Sequence, residues 1–251
     1  MLSQLLRVVL ASAALATASA HAAEVQVAVA ANFTAPARMI AQEFEKETGH
    51  RAVLAFGATG AFYAQIRNGA PFQVLLAADD ETPAKLATEG LGVGDTRYTY
   101  AIGKLVLWSA TPALVDGKGE ILARGGSEKI AVANPRLAPY GAAAMEVMAK
   151  LKLLDRLQPR IVQGENIAQT FQFVSTGNAQ LGFVALSQVM VDGKIGKGSA
   201  WVVPAELHSA IKQDAIVLAT AKDNPAAAAL MTYLRSDKAR AIIRGFGYDL
   251  P

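Results

Sequence analysis

The stretch VQVAVAANFTAPARMIAQEFEKETGHRAVLAF, residues 25–56, decides the fold class. It opens with the apolar run 25–29, which predicts a short buried strand. Thr34 then stands where a helix N-cap is expected, and apolar residues recur at helical spacing until Gly49 ends the helix. A second apolar run, 52–56, follows. A strand, a helix and another strand in this order predict a parallel sheet with helices packed on its faces.

The alternation of strands and helices continues along the rest of the chain. Further apolar runs predict strands at residues 74–78, 105–108, 130–133, 161–163, 181–184 and 215–219. The length allows one large domain or two lobes of about 100 residues each. If there are two lobes, we expect the chain to cross near residues 101–103 and 207–214. Lobe 1 is then formed by 23–101 and 207–251, and lobe 2 by 102–206.

The N-terminus has the order of a secretory signal peptide. Arg7 provides a positive start, residues 8–20 are apolar and mostly small, and AHA at 20–22 gives the small-x-small pattern before a cleavage point. We therefore predict that residues 1–22 are removed and that the mature protein is periplasmic. The alternative is a buried N-terminal helix. The apolar run is too short to span a bilayer, and no other segment is long and apolar enough.

The composition excludes several classes of function. Hydrophobic residues make up 52% of the chain, so a sizeable core can be buried, and the absence of cysteine means that no disulfide stabilises it. A formal net charge of +3 without a basic run argues against nucleic-acid binding. None of the three histidines lies beside a serine nucleophile motif or a carboxylate pair. Asp79 and Asp80 can bind a metal or form a solvated turn, and we favour the turn.

Four strand-to-helix turns share one physical property. Each presents backbone N–H groups at a helix start, where the helix dipole adds partial positive charge, so each can bind an anion without a cation. The turns are ANFT at 31–34, GATG at 57–60, PYG at 139–141 and ENI at 165–167. In α/β sheets, ligands bind at the carboxyl ends of strands, where such loops lie. The same residues also fit ordinary caps and tight turns. Two turns per lobe, none containing Lys or Arg, favour a cleft for a small oxyanion.

Seven segments carry a resemblance to a known family. They are VAANF at 29–33, GATG at 57–60, QIRNGAP at 65–71, APYG at 138–141, GENI at 164–167, GNAQLGFV at 177–184 and FGY at 246–248. With these segments, the chain resembles the periplasmic molybdate-binding proteins of ABC importers, over essentially the whole mature length. The resemblance implies the type II periplasmic binding protein fold. That fold has two α/β lobes, each a mostly parallel sheet flanked by helices, with the ligand cleft between the lobes.

The resemblance also implies four ligand-binding residues. Asn32 would contribute its side-chain amide, Thr59 its hydroxyl, and Tyr140 and Ile167 their backbone N–H groups. The supporting loop positions are Ala31, Phe33 and Gly60. Some family members place a tyrosine ligand where this chain has Ala185, and Tyr140 is the residue that can compensate for it.

The ligand implied by the resemblance is molybdate, with tungstate expected to bind in the same way. Molybdenum would be held only as its oxyanion, with no protein atom bound to the metal, and no cofactor is expected. The expected partners are the small oxyanion and the membrane permease of an ABC importer, with no nucleic acid, no membrane span and a monomeric protein. The alternatives are a binding protein for another oxyanion or a small carboxylate, and an exported enzyme.

Overall fold

The computed structural model describes residues 22–124, 126–191, 193–221 and 223–251. The predicted signal peptide, 1–22, lies outside these residues except for Ala22. The strands are β1 Glu24–Ala30, β2 Arg51–Gly57, β3 Val74–Leu76, β4 Tyr98–Gly103, β5 Leu105–Ser109, β6 Ile130–Ala133, β7 Ile161–Gly164, β8 Leu181–Ala185, β9 Met190–Val191, β10 Lys194–Ile195, β11 Ser199–Val202 and β12 Ile211–Val217. The α-helices are α1 Thr34–Thr48, α2 Thr59–Arg67, α3 Glu81–Thr88, α4 Pro139–Lys150, α5 Leu154–Leu157, α6 Ile167–Ser175, α7 Leu186–Val189, α8 Pro225–Tyr233 and α9 Asp237–Gly245. No helix in the described ranges is long and apolar enough to cross a membrane.

Two five-stranded sheets form the framework of the molecule. The first has the order β2-β1-β3-β12-β4 and the second the order β11-β5-β8-β6-β7. In the first sheet, β1 is parallel to β2 and β3, and β12 is antiparallel to both of its neighbours. In the second sheet, β6 is parallel to β7 and β8, and β5 is antiparallel to β8 and β11. One strand therefore opposes the other four in each sheet, and the expectation of two lobes with mostly parallel sheets is confirmed.

The chain passes between the two sheets through two short links. Lys104 joins β4 to β5, and residues 203–210 lead from β11 back to β12. The strand β12 already begins at Ile211, inside the segment 207–214 where the sequence pattern indicated a connection. The polar residues Gln213 and Asp214 suggested a loop, but both lie in the strand. Residues 213–217 are buried between β3 and β4, and the strand has a bulge after Gln213.

The C-terminal segment returns to the first link. Asp249 and Ile102 form a backbone bridge with hydrogen bonds of 2.8 and 3.1 Å, and Lys104 Nζ lies 2.7 Å from an Asp249 carboxylate oxygen. The end of the chain is thereby fixed beside the point where β4 leaves the first lobe.

The buried face of α1 confirms the predicted helical spacing. Ala37, Ile40 and Phe44 are all buried and pack against the first sheet and the C-terminal helices. Full burial of a side chain such as Phe44 stabilises the fold by roughly 1.5–3 kcal/mol. Gly49 ends the helix with φ of 71°, the left-handed conformation that glycine adopts without strain.

The prediction that Thr34 caps α1 is wrong. Thr34 is the first residue of the helix, and its hydroxyl donates to the Ala31 carbonyl oxygen at 2.8 Å instead of accepting from the helix. A one-turn 3-10 helix, residues 31–33, precedes α1 and supplies its start. Asn166 and Ser236, by contrast, accept hydrogen bonds from the first turns of α6 and α9, as true N-caps do.

Candidate functional site

A small cavity lies between the two lobes, at the ends of the strands that the four turns follow. Its volume is about 10 Å³, and it is partly open to solvent. The residues that line it are Ala30, Ala31, Asn32, Gly57, Ala58, Thr59, Ala78, Ala138, Pro139, Tyr140 and Ile167. All four turns predicted from the sequence therefore contribute to one site. The four predicted ligand residues come together there, although they are 135 positions apart at the extremes.

Backbone N–H groups at helix starts are the main polar feature of the cavity. The residues before α2 and α4, Ala58 and Ala138, provide no side-chain cap. The N–H groups of Thr59 in α2 and Tyr140 in α4 are therefore left without a capping acceptor. The Asn166 side chain accepts hydrogen bonds from the N–H groups of residues 168 and 169 at the start of α6, and it leaves the Ile167 N–H uncapped. Among the described residues, the N–H groups of Tyr140 and Ile167 have no protein acceptor, so both can donate to a ligand.

The Thr59 side chain adds one hydroxyl donor. It is buried, and its oxygen accepts a hydrogen bond of 2.9 Å from the backbone N–H of Ala78. Because the oxygen is held as an acceptor on that side, the hydroxyl proton is left to donate toward the cavity. Thr59 lines the cavity, and its role as a ligand stays a prediction.

The side-chain amide of Asn32 has a different role from the one expected. Both of its hydrogens are donated within the protein, to Gln213 Oε1 at 2.9 Å and to the Tyr248 hydroxyl at 3.0 Å. An amide nitrogen carries two hydrogens, so neither is left for a ligand. Asn32 still lines the cavity, and it can reach a ligand only through its backbone N–H. The sequence identified the position but not the direction of the amide.

Tyr140 also divides its polar atoms between two tasks. Its phenol oxygen accepts a hydrogen bond from Gln213 Nε2 at 3.1 Å, which anchors the side chain at β12. Compensation by Tyr140 for the tyrosine that other family members place at the Ala185 position stays a prediction. Ala185 is buried outside the cavity lining. Burial holds the pKa of the Tyr140 phenol well above its usual value, so this group stays neutral.

The three supporting positions behave differently from one another. Ala31 lines the cavity. Gly60 donates its backbone N–H to the Leu137 carbonyl oxygen at 2.9 Å, which joins the lobes at the edge of the cavity. Phe33 does not line the cavity. Its ring packs edge-on against Tyr100 at 4.9 Å between centroids, inside the core of the first lobe, so the expected contribution of this position is replaced by a packing role.

No acidic, basic or histidine side chain lines the cavity. An anion bound there would be held by neutral dipoles, whose effect is largest where water is excluded. Asp79 lines an outer cleft together with Gly60 and Leu137. Burial raises the pKa of Asp79 to about 6, against the smaller opposing effect of two hydrogen bonds from Thr82. Within the described residues, no group of three or more acidic, histidine or cysteine side chains is placed to hold a metal ion.

Three buried polar residues beneath the cavity were not identified from the sequence. Gln213, Ser187 and Tyr248 join Asn32 and Tyr140 in one hydrogen-bonded network. The FGY motif containing Tyr248 was the one available signal, and it carried no indication of a partner.

Two α/β lobes around a small cavity, with ligand donors from both, define a two-lobed solute-binding protein. The family described as bacterial extracellular solute-binding protein matches residues 25–249. Molybdate-binding protein ModA of Azotobacter vinelandii is 56% identical over 243 residues, which cover 97% of this chain and 96% of that protein. Molybdate-binding protein ModA of Rhodobacter capsulatus is 51% identical over 229 residues, 91% of this chain and 89% of that protein.

A solved structure supports the same family assignment. The structure of the Azotobacter vinelandii periplasmic molybdate-binding protein superposes with a TM-score of 0.88 at 43% identity, and covers 90% of this chain and 99% of that one. The chain belongs to the bacterial extracellular solute-binding protein family, in the group formed by the molybdate-binding proteins. The family expected from the sequence motifs is confirmed, and its named relatives are binding proteins rather than enzymes.

Proposed function

We propose that this protein captures molybdate in the cavity between its lobes and delivers it to the permease of an ABC importer. The observation that carries the proposal is the donor set of the cavity. Helix-start N–H groups from both lobes and one hydroxyl converge on a small space between the lobes, whose lining holds no charged side chain. Such a site accepts a fully ionised small oxyanion and offers nothing to a cation. The names of the relatives specify which oxyanion this is.

The ligand would be held by its oxygen atoms alone. Thr59 donates its hydroxyl proton, and Tyr140 and Ile167 donate backbone N–H groups from lobe 2. The first turn contributes through backbone N–H groups at Ala31 and Asn32. Molybdenum makes no bond to the protein, and no cofactor takes part. Tungstate, a dianion of nearly the same size and shape, binds in the same way.

Another small oxyanion or a carboxylate is the second candidate for the ligand. The fixed spacing of the donors disfavours sulfate, whose bonds to oxygen are shorter, because a smaller tetrahedron cannot reach donors in both lobes at once. A carboxylate would leave one side of a tetrahedral donor set unpaired, at a cost in binding free energy. An exported enzyme is the third candidate, and the cavity lacks a nucleophile paired with a base.

The compartment and assembly follow from the same proposal. Residues 1–22 serve as the signal peptide, the mature protein works in the periplasm, and the permease receives the closed, loaded form. We propose that the protein acts as a monomer, because its ligand site is completed by the two lobes of one chain.

The test is a thermal melting screen of the mature protein with molybdate, tungstate, chromate, sulfate and phosphate, followed by calorimetric titration. An anion present at a thousandfold excess over its dissociation constant stabilises the native state by about 4 kcal/mol. We expect molybdate and tungstate to raise the melting temperature clearly, and sulfate and phosphate to change it little. Equal stabilisation by sulfate, or none by molybdate, would refute the proposal.

A further inference from the structure

The Tyr140 side chain crosses from lobe 2 into lobe 1. Tyr140 is the second residue of α4, and its hydroxyl oxygen lies 3.1 Å from Nε2 of Gln213 on β12, a strand of the first sheet. Both side chains are buried. One residue thus presents its backbone N–H to the cavity and anchors its phenol in the opposite lobe.

The first lobe contains a fitted space for this hydroxyl. Gly103 is the last residue of β4, immediately before the link at Lys104. A Cβ at this position would overlap the Tyr140 hydroxyl oxygen and would approach Gln213 Nε2 to 2.6 Å. The phenol therefore reaches Gln213 only because residue 103 has no side chain, and it does so where the chain passes between the lobes.

Two donors within lobe 1 fix the orientation of the Gln213 carboxamide. Its Oε1 accepts from Asn32 Nδ2 at 2.9 Å and from the Tyr100 hydroxyl at 3.1 Å. With the oxygen held on that side, the NH₂ group must point to Tyr140. Residues of lobe 1 alone therefore set the direction of the Gln213 NH₂ group, before lobe 2 closes onto lobe 1.

A second cross-lobe contact lies beside the first. Ser187, in the helix that follows β8, donates to the Asn32 carbonyl oxygen at 2.9 Å, and Tyr248 contacts the Ser187 hydroxyl at 2.9 Å. Asn32 thus joins both contacts, since its amide holds Gln213 and its carbonyl accepts from Ser187. The two contacts form a cross-lobe clasp, made of Tyr140–Gln213 and Ser187–Asn32–Tyr248, on the hinge side of the cavity.

We propose that Gln213 is a positioning residue for anion binding. By holding the Tyr140 hydroxyl, it sets the Tyr140 N–H against the ligand and slows the reopening of the lobes. The proposal rests on the proposed anion-binding function, and it extends the site to a strand that no lining residue belongs to. Release of the anion requires opening, so loss of the contact accelerates dissociation and leaves association unchanged.

The test compares Tyr140→Phe with the control Thr48→Val. Each variant removes one hydroxyl that makes a hydrogen bond, but the Thr48 hydroxyl bonds within lobe 1, to the Phe44 carbonyl oxygen at 2.7 Å, and not to Gln213. Release of radiolabelled molybdate into an excess of unlabelled molybdate gives the dissociation rate. We expect a rise of roughly fivefold for Tyr140→Phe, the effect of one neutral hydrogen bond, and no rise for Thr48→Val. A purely structural role would change both variants alike.

A second measurement without ligand separates this proposal from the proposed function. The chain has no cysteine, so spin labels can be placed by Thr88→Cys on α3 and Ala149→Cys on α4, both exposed and in different lobes. The closed fraction of the distance distribution should fall in Tyr140→Phe and stay at the wild-type value in Thr48→Val. Ser187→Ala, which removes the neighbouring contact, should also lower it. Identical distance distributions in the wild type and the three variants would overturn the proposed clasp. A wild-type protein that does not bind molybdate would overturn only the proposed function.

Discussion

Thr59 offers the sharpest test of the cavity, because one atom has two separable roles. Its oxygen accepts from the buried Ala78 N–H at 2.9 Å, and its proton donates toward the ligand. Thr59→Val keeps the shape of the side chain and removes both interactions. A hydrogen bond to a charged group contributes about 1.5–3 kcal/mol, so molybdate affinity should fall roughly 10- to 100-fold.

The same substitution has a second, independent effect on stability. The Ala78 N–H loses its acceptor, and a buried unpaired donor lowers the free energy of unfolding by about 1–3 kcal/mol even without ligand. Thr59→Ser retains the hydroxyl and should lose much less of either quantity. Calorimetric titration measures the affinity, and urea unfolding of the ligand-free protein measures the stability.

Thr48→Val is the matched control for Thr59→Val. The Thr48 hydroxyl donates to the Phe44 carbonyl oxygen at the far end of α1, remote from the cavity. Its loss should cost some stability and leave the affinity unchanged. If Thr59→Val binds molybdate as tightly as wild type does, the hydroxyl is not a ligand and the donor set described above is wrong.

Three further predictions concern charge. Asn32→Asp places a carboxylate against Gln213 Oε1, another acceptor, so it should weaken molybdate binding and lower the unfolding free energy more than Asn32→Ala does, by roughly 3–5 kcal/mol relative to wild type in urea unfolding. Asp79, with its pKa raised to about 6 from 3.8, binds its proton more tightly when folded, so stability falls as pH rises through this window. Asp79→Asn should then be more stable than wild type by up to roughly 3 kcal/mol at about pH 7.5 and equal to it below about pH 4, as thermal melts at both pH values will show. Finally, molybdate affinity should stay flat from about pH 7 to 9, because no lining group titrates there, and a tenfold loss in calorimetric titration at the higher pH would contradict a site of neutral donors.

The local periodicity of the sequence was sufficient for most of the framework. The strand predicted at 130–133 has those bounds in β6, and Ala37, Ile40 and Phe44 share the buried face of α1 as their spacing indicated. Such patterns succeed because the side chains that face the core repeat with the period of the backbone itself.

The orientation of polar side chains could not be obtained in the same way. A short amide at a strand end is compatible with a ligand or with a buried network, and Asn32 takes the network because Gln213 lies within reach. That neighbour is 181 positions away in the sequence. The space at Gly103 that admits the Tyr140 hydroxyl is likewise a tertiary property. The cavity was therefore predictable as a set of backbone turns, and the groups that hold the turns in place were not.

The place of β12 in the first sheet constrains the order in which the molecule can form. This strand lies between β3 and β4, and it comes more than 100 residues after β4 along the chain. Residues 105–202 are contiguous and can complete their own sheet as soon as they have left the ribosome or translocon. The first sheet cannot be completed until residues 211–217 emerge, because the position between β3 and β4 stays empty until then. The strand β12 is thus the last to be synthesised, and its late insertion between β3 and β4 forms a long-range contact of the kind that slows folding. Until it arrives, β3 and β4 present unpaired edges to any chain nearby.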